Sequence, residues 1–479
     1  METRTKTGRG AVLLTMCAGM FLVQLDVTVV NVALPTIGAR LGAGVAQLQW
    51  IVDAYAVVLA ALLLTGGALG DSFGHRRVVI AGFAVFGAAS AGCALATAVA
   101  PLVGFRVLQG IGAALLLPGT LAVITGVYPE RREQARALGI WAGVSALAVA
   151  GGPLLGGAVV AAAGWQWLFW LNVPLVAVAI VLSLRLVPAG VRESRPVDWV
   201  GASTGAVCLA ALVYAVIDGG GNGIGAGVLA VVAGIGFVLS QRRGTHPMVP
   251  VELRGSASFL GANLVAGAMN LVGLGTILVA TLYLQGVLRA GPLGSAVRML
   301  PLFAPLALLA PVTGRLTARY GPRAPIVAGL ALGAFGMLNL LRVGPGSGYP
   351  TVLPTLAALG GGMGLLTAAV VSAAVSGAPA GYGGVASGVN NTARQAAGAV
   401  GVALFGALAG EPGDAAAFTG GLHVIGVTAA ALWLAAIAVT VATIRPPAPR
   451  PFRAGAARPR RACRAGAAAR PRGTPDRGR

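Results

Sequence analysis

The sequence predicts an all-α polytopic membrane protein made of two related halves. Three observations carry this reading. Hydrophobic residues make up 57% of the 479-residue chain and charged residues only 10%, against roughly 25% charged in an ordinary soluble domain. Apolar runs long enough to cross a bilayer, roughly 20 residues each, recur along almost the whole length. One short loop pattern also occurs twice: GALGDSFGHRR (67–77) and GRLTARYGPRA (314–324) align Gly67, Leu69, Gly74 and Arg76 with Gly314, Leu316, Gly321 and Arg323, each 247 residues later.

Taken in order, the expected spans are 11–34, 47–69, 78–98, 101–125, 136–160, 165–186, 199–218, 224–240, 259–284, 294–313, 324–342, 350–374, 384–409 and 422–444, about 14 transmembrane helices. Strands of an outer-membrane barrel would alternate over about 10 residues; these runs are continuous and longer, so they read as helices. Counted from a cytoplasmic N-terminus, the basic residues sort to one side, as the positive-inside rule requires. The inner loops receive Arg9, Arg76, Arg77, Arg131, Arg132, Arg136, Arg242, Arg243, Arg315, Arg319 and Arg323, among others, while outer loops and span ends hold only Arg40, Arg289, Arg298 and Arg342. This split accounts for the net charge of +21 without a nucleic-acid partner and places both termini in the cytoplasm. The first run is longer than a signal peptide and lacks a small-residue cleavage site, so it is expected to be retained. Cys17, Cys93 and Cys208 fall inside spans and Cys463 in the tail, a spacing that indicates neither a metal site nor disulfides.

The repeat places one loop copy after the second helix of each half, as duplication of a bundle in parallel orientation requires. The expected organisation is an N-terminal six-helix bundle at 1–190, two extra central helices with their linkers at 191–256, a C-terminal six-helix bundle at 257–444 and a disordered basic tail at 445–479. The tail holds eleven arginines and one acid, Asp476, a composition that cannot build a packed core. It reads as a solvated extension near anionic headgroups.

The chemistry rests on few residues. Of thirteen acids only Asp26 and Asp53 fall well within spans. A charged side chain near the bilayer centre costs roughly 2.5–3.5 kcal/mol even on a lenient scale, so an intramembrane acid is a functional candidate by default. Asp26, in LDVTVVNVALP, is the leading proton-coupling candidate; the alternative is a structural hydrogen-bond partner for Asn31 or for an arginine of a neighbouring helix. Asp53, close to the outer end of the second span, is either a second proton or cation site or an interfacial acid. Arg106 needs a counter-charge, for which Asp26 or Asp53 could serve, unless it snorkels to the outer headgroups. Gln109 follows one turn later, and Gly110 and Gly112 allow close helix approach.

In the second half Asn390, Asn391, Arg394 and Gln395 form the comparable polar cluster, with no acid inside a span beside them. They are substrate-cavity candidates together with Gln109, or else helix-to-helix glue. The run GGPLLGG, with Gly152, Pro153, Gly156 and Gly157, is a plausible pivot, since proline breaks the helix ladder and glycine admits close packing. No phosphate-cradling GxxxxGK[ST] motif is present, which argues against direct ATP drive, and His75, His246 and His423 read as loop or helix-edge residues. No enzyme activity, metal or cofactor is expected.

With these residues in view, the chain resembles the major facilitator superfamily, specifically its fourteen-span drug/proton antiporter branch, over about residues 10–444. LDVTVVNVALP resembles that branch's first-helix motif, which implies a coupling role for Asp26. GALGDSFGHRR resembles the signature loop between helices two and three; the resemblance implies gating by Gly67, Asp71, Gly74 and Arg76, with His75 where arginine is common. RVLQGIGAA resembles the fourth-helix motif that carries the functional Arg106, and GGPLLGG the antiporter helix, with Ala148 where a glycine is usual. The implied fold is two rocking bundles. The implied function is proton-coupled export of a hydrophobic or cationic small molecule, a drug or antibiotic, by a monomer in the cell (inner) membrane, with lipid, protons and substrate as partners. A nutrient symporter on the same fold and a non-transporting membrane sensor are the rival readings.

Overall fold

A computed structural model describes residues 2–128, 130–188, 198–218, 221–244, 247–379 and 382–444. The basic tail and His246 lie outside the described residues, as does the side chain of Asp71. Helices α1 (Glu2–Leu41), α2 (Val45–Phe73), α3 (His75–Leu95), α4 (Val99–Val127), α5 (Arg131–Ala163), α6 (Gln166–Trp170) and α7 (Asn172–Leu186) come first. Next are α8 (Trp199–Asp218), α9 (Gly221–Arg243) and the short α10 (Val251–Arg254). The chain ends with α11 (Ala257–Leu282, continued by a π turn Tyr283–Val287), α12 (Pro292–Arg298), α13 (Leu300–Tyr320), α14 (Arg323–Leu338), α15 (Tyr349–Ser376), α16 (Gly383–Ala409) and α17 (Ala415–Thr443). No strand occurs among the described residues. In hydrocarbon every backbone polar group must be satisfied within its own segment, which selects helices.

Eleven helices are long and apolar enough to cross a membrane, or up to thirteen if each of two bent pairs is one span. The bends fall inside the expected spans 136–160 and 294–313. Helix α5 bends by 42° at residue 150, where Pro153 has no N–H for the carbonyl of residue 149. The α12–α13 pair bends by 46°, next to Pro301. The span expected at 384–409 forms α16, 27 residues long; Asn390, Asn391, Arg394 and Gln395 in its middle lower its apolarity and keep it out of that set. His423, read as a helix-edge residue, lies inside α17 with Nε2 2.7 Å from the Val343 carbonyl.

The repeated loop pattern has a structural counterpart. Gly74 (φ 93°) joins α2 directly to α3, and Gly321 (φ 81°) stands at the same place between α13 and α14. Positive φ makes glycine the favoured residue at both turns. Between helices, small residues allow backbone contact, the main source of affinity where lipid is as apolar as leucine. A Cβ on Gly66 would lie 2.2 Å from the Ala114 carbonyl of α4, and one on Gly401 of α16 2.1 Å from the Leu271 carbonyl of α11.

The helices α8 and α9 pack on each other. Asp198 accepts from Gly201 N (2.7 Å) and from Gln241 Nε2 (2.7 Å), tying the start of α8 to the end of α9. Buried Val213 of α8 packs with Val57 of α2 and with Ala399 and Ala403 of α16.

These packing distances predict that Gly66→Ala lowers the stability of the purified protein by about 1–3 kcal/mol, the usual cost of overpacking. Gly104→Ala in α4 meets nothing within 4 Å and should be neutral or stabilising by up to about 1 kcal/mol from helix propensity. Thermal unfolding in detergent micelles measures both.

Candidate functional site

The site forms around residue 26 because α1, α2, α3, α4 and α7 all bring polar groups to the same buried point. Asp26 and Arg106 are each 1% exposed, and Gln109, Ser90 and Asn172 are also buried. Arg106 Nη1 donates to Asp26 Oδ2 in a close ion pair and to Gln109 Oε1 at 3.0 Å, while its Nε donates to the Ile51 carbonyl at 2.9 Å. The guanidinium carbon stands 4.3 Å from the centroid of the Tyr55 ring, a cation–π contact, and Tyr55 OH donates to the Val23 carbonyl.

The second carboxylate oxygen, Oδ1, accepts from Gln109 Nε2 at 3.2 Å. Gln109 Nε2 also reaches Ser90 Oγ at 3.3 Å; Ser90 Oγ receives Asn172 Nδ2 at 3.0 Å and donates to the Phe169 carbonyl at 3.0 Å. Both carboxylate oxygens of Asp26 are thus engaged, and the arginine has three polar partners through Nη1 and Nε. A buried pair stands only when its remaining donors and acceptors are met in this way. Asn31, the alternative partner, turns away and donates to the Val27 carbonyl at 2.7 Å. The snorkelling alternative for Arg106 does not occur.

The chemistry open to this cluster is narrow. Asp26 is its one carboxylate, and its charge neutralises Arg106. Gln109, Ser90 and Asn172 hold the pair in place by neutral hydrogen bonds.

Asp53 is apart from the pair. It is fully buried and neither carboxyl oxygen has a hydrogen-bond partner among the described residues. One turn before it, Gln49 Nε2 donates to the Ala403 carbonyl of α16 at 2.9 Å, and one turn after it Val57 packs on Ala399 and Ala403. Asp53 therefore lies on the α2 face that meets α16. Leaving an ionised carboxylate there unpaired is costly.

Around this centre the other sequence candidates take distinct places. Gly152 and Gly156 of α5 pack on Thr28 and Val29 of α1, within one turn of Asp26, while Gly157 meets the Pro292 carbonyl of α12, 2.9 Å from where its Cβ would be; Pro153 is buried. Gly67 packs near Pro118 of α4. Arg76 Nη2 donates to the Leu184 carbonyl at the end of α7. In α16, Asn390 Nδ2 donates to Asn263 Oδ1 at 3.2 Å and Arg394 Nε to Asn270 Oδ1 at 3.4 Å, both on α11; Asn391 and Gln395 are half-buried. No group of three or more His, Cys, Asp or Glu that could hold a metal ion occurs among the described residues.

Sequence reasoning missed Ser90, Asn172 and Tyr55. Ser90 and Asn172 are neutral residues inside apolar runs, and the visible signal was their polarity alone; Tyr55 follows Asp53 by two positions.

Residues 16–402 match the family model described as Major Facilitator Superfamily. The chain is 35% identical over 411 residues to the tetracenomycin C resistance and export protein of Streptomyces glaucescens, covering 84% of this chain and 76% of the relative. It is 34% identical over 406 residues to the multidrug resistance protein Stp of Mycobacterium tuberculosis, covering 83% and 75%. With the methylenomycin A resistance protein of Streptomyces coelicolor it shares 32% identity over 413 residues, covering 85% and 86%. Among solved structures, a peptide transporter POT in complex with sulfate superposes with a TM-score of 0.68 at 19% identity, covering 91% of this chain and 95% of that one, which shows a shared fold.

Breaking the buried pair from one side should destabilise strongly. Arg106→Met is expected to cost about 3–5 kcal/mol by stranding the Asp26 carboxylate, and adding Asp26→Asn to it should restore part of that loss. Unfolding midpoints of the two single variants and the double variant measure the coupling.

Proposed function

The chain belongs to the Major Facilitator Superfamily, and from that premise we propose that it exports a hydrophobic or cationic small molecule, a drug or antibiotic, across the cell membrane in exchange for incoming protons. That it is a multi-pass membrane transporter rather than an enzyme follows from the family and from relatives named as resistance and export proteins. The observation that carries the proton coupling is the buried Asp26–Arg106 pair: a carboxylate that can be protonated only by giving up its counter-ion links proton occupancy to the packing of α1 against α4.

In this proposal the protein works as a monomer of fourteen spans with both termini cytoplasmic. The bundles at 1–190 and 257–444 rock about a central site, and 191–256 supplies the two extra helices. Protonation of Asp26 from outside loosens its hold on Arg106 and favours return to the inward-facing state. Substrate entry from the cytosol favours proton release inward. Asp53, on the α2 face against α16, is the second acid whose proton occupancy can respond to motion between the halves. Helix α5 touches α1 through Gly152 and Gly156 and α12 through Gly157, so it is suited to carry a shift near Asp26 to the C-terminal half. The loop motif with Asp71 and Arg76 is assigned the gate at the cytoplasmic face.

Efflux in everted membrane vesicles tests the proposal. Dye or antibiotic uptake into the vesicles should stop when the pH gradient is collapsed, and Asp26→Asn should abolish uptake per molecule of protein present in the membrane. Uptake that is indifferent to the gradient rules out antiport. Inward accumulation by intact cells driven by an inward proton gradient would instead identify a symporter, and an Asp26→Asn strain with unchanged phenotype would leave a non-transporting sensor.

A further inference from the structure

Two arginines sit deep within helices of this chain, and their surroundings differ sharply. Arg106 has a carboxylate, an amide oxygen, a backbone carbonyl and an aromatic face. Arg394, at the middle of α16, has one side-chain hydrogen bond, from Nε to Asn270 Oδ1 at 3.4 Å. No carboxylate is within ion-pairing distance of it among the described residues. A guanidinium has five N–H donors in a planar fork, so four of them are without a protein acceptor among the described residues. The uncompensated charge is costly at membrane depth.

The neighbourhood is built to present this group rather than to neutralise it. Asn270 orients Nε from α11, and one turn earlier Asn390 is itself held by Asn263. On α16 the residues beside Arg394 include Ala393, Ala397 and Gly398, whose small size lets Gly267 and Leu274 of α11 approach closely and which offer the fork no side-chain acceptor. Arg394 is only half-buried, as are Asn391 and Gln395, which lie four positions apart on the adjoining stripe and make no side-chain hydrogen bond among the described residues.

We propose that Arg394 binds an acidic oxygen of the transported molecule, a carboxylate or an ionised enol or phenol on an otherwise apolar frame. The fork–oxyanion match supplies the missing counter-charge, and the Asn391 and Gln395 amides serve neighbouring oxygens. This rests on the export reading above and narrows its substrate class: the cationic substrate of the sequence reading would meet a like charge at this position.

Equilibrium binding to the purified full-length protein in detergent micelles tests the inference, using a bis-barbiturate oxonol, an enolate-bearing anionic dye, and ethidium, an aromatic cation. Wild-type protein should bind the oxonol saturably. Loss of one charge-assisted contact corresponds to roughly tenfold weaker binding or more for Arg394→Met, with Arg394→Lys in between and ethidium within about twofold of wild type. Because the unliganded arginine is uncompensated, Arg394→Met should also raise the unfolding midpoint without dye, which a helix-glue role would lower. Oxonol affinity unchanged in Arg394→Met, equal losses for both dyes, or no saturable oxonol binding by the wild type overturns the proposal. Since binding needs no gradient, these outcomes are separate from the vesicle experiment, whose failure would sink antiport and leave this site standing.

Discussion

One ion pair out of reach of water, Asp26 with Arg106, sets the terms for the N-terminal half. Taking two charges out of water costs several kcal/mol each, and their attraction offsets this only when the leftover donors and acceptors are also satisfied. Five helices contribute the groups that hold the pair. Helix α1 brings the carboxylate, α4 the guanidinium and Gln109, α2 the Ile51 carbonyl and the Tyr55 ring, α3 Ser90 and α7 Asn172.

The glycines of α4 are arranged around the same requirement. Gly110, next to Gln109, lets the Tyr55 carbonyl of α2 come within 2.7 Å of where a Cβ would be, and Gly112 does the same for Gly82 and Phe86 of α3. Without such approach the ring and the serine could not reach the pair. Helix α5 extends the arrangement, since its glycines rest on the α1 residues that follow Asp26 by one turn. Packing and electrostatics are therefore one design: the charged centre requires close helices, and the close helices exclude the water that would weaken it.

Much of this was legible in the sequence. Composition and run length identified a helical membrane protein, because hydrocarbon leaves few alternatives to a helix. Asp26 and Arg106 stood out since charges in apolar runs are rare, and the Gly74 and Gly321 turns betrayed the repeat through their shared spacing. Span counting was less secure where proline bends α5 and separates α12 from α13, and where the polar middle of α16 lowers its apolarity. The roles of Ser90, Asn172 and Tyr55 were hidden because hydrogen-bond networks depend on which helices become neighbours, and a linear pattern does not record that. Likewise, the sequence offered Asp26 and Asp53 equally as partners for Arg106; only the helix faces separate them, one turned to α4 and the other to α16.

The central claim is that the Asp26 carboxyl alternates between a paired anion and a neutral acid during transport. Infrared difference spectroscopy of the reconstituted protein through a pH step reads this directly, from the C=O stretch that a carboxylic acid shows and a carboxylate lacks. The account predicts an acid band that appears on acidification, diminishes when substrate is added and is missing in Asp26→Asn. A spectrum in which Asp26 contributes no such band at any pH that supports transport would contradict it.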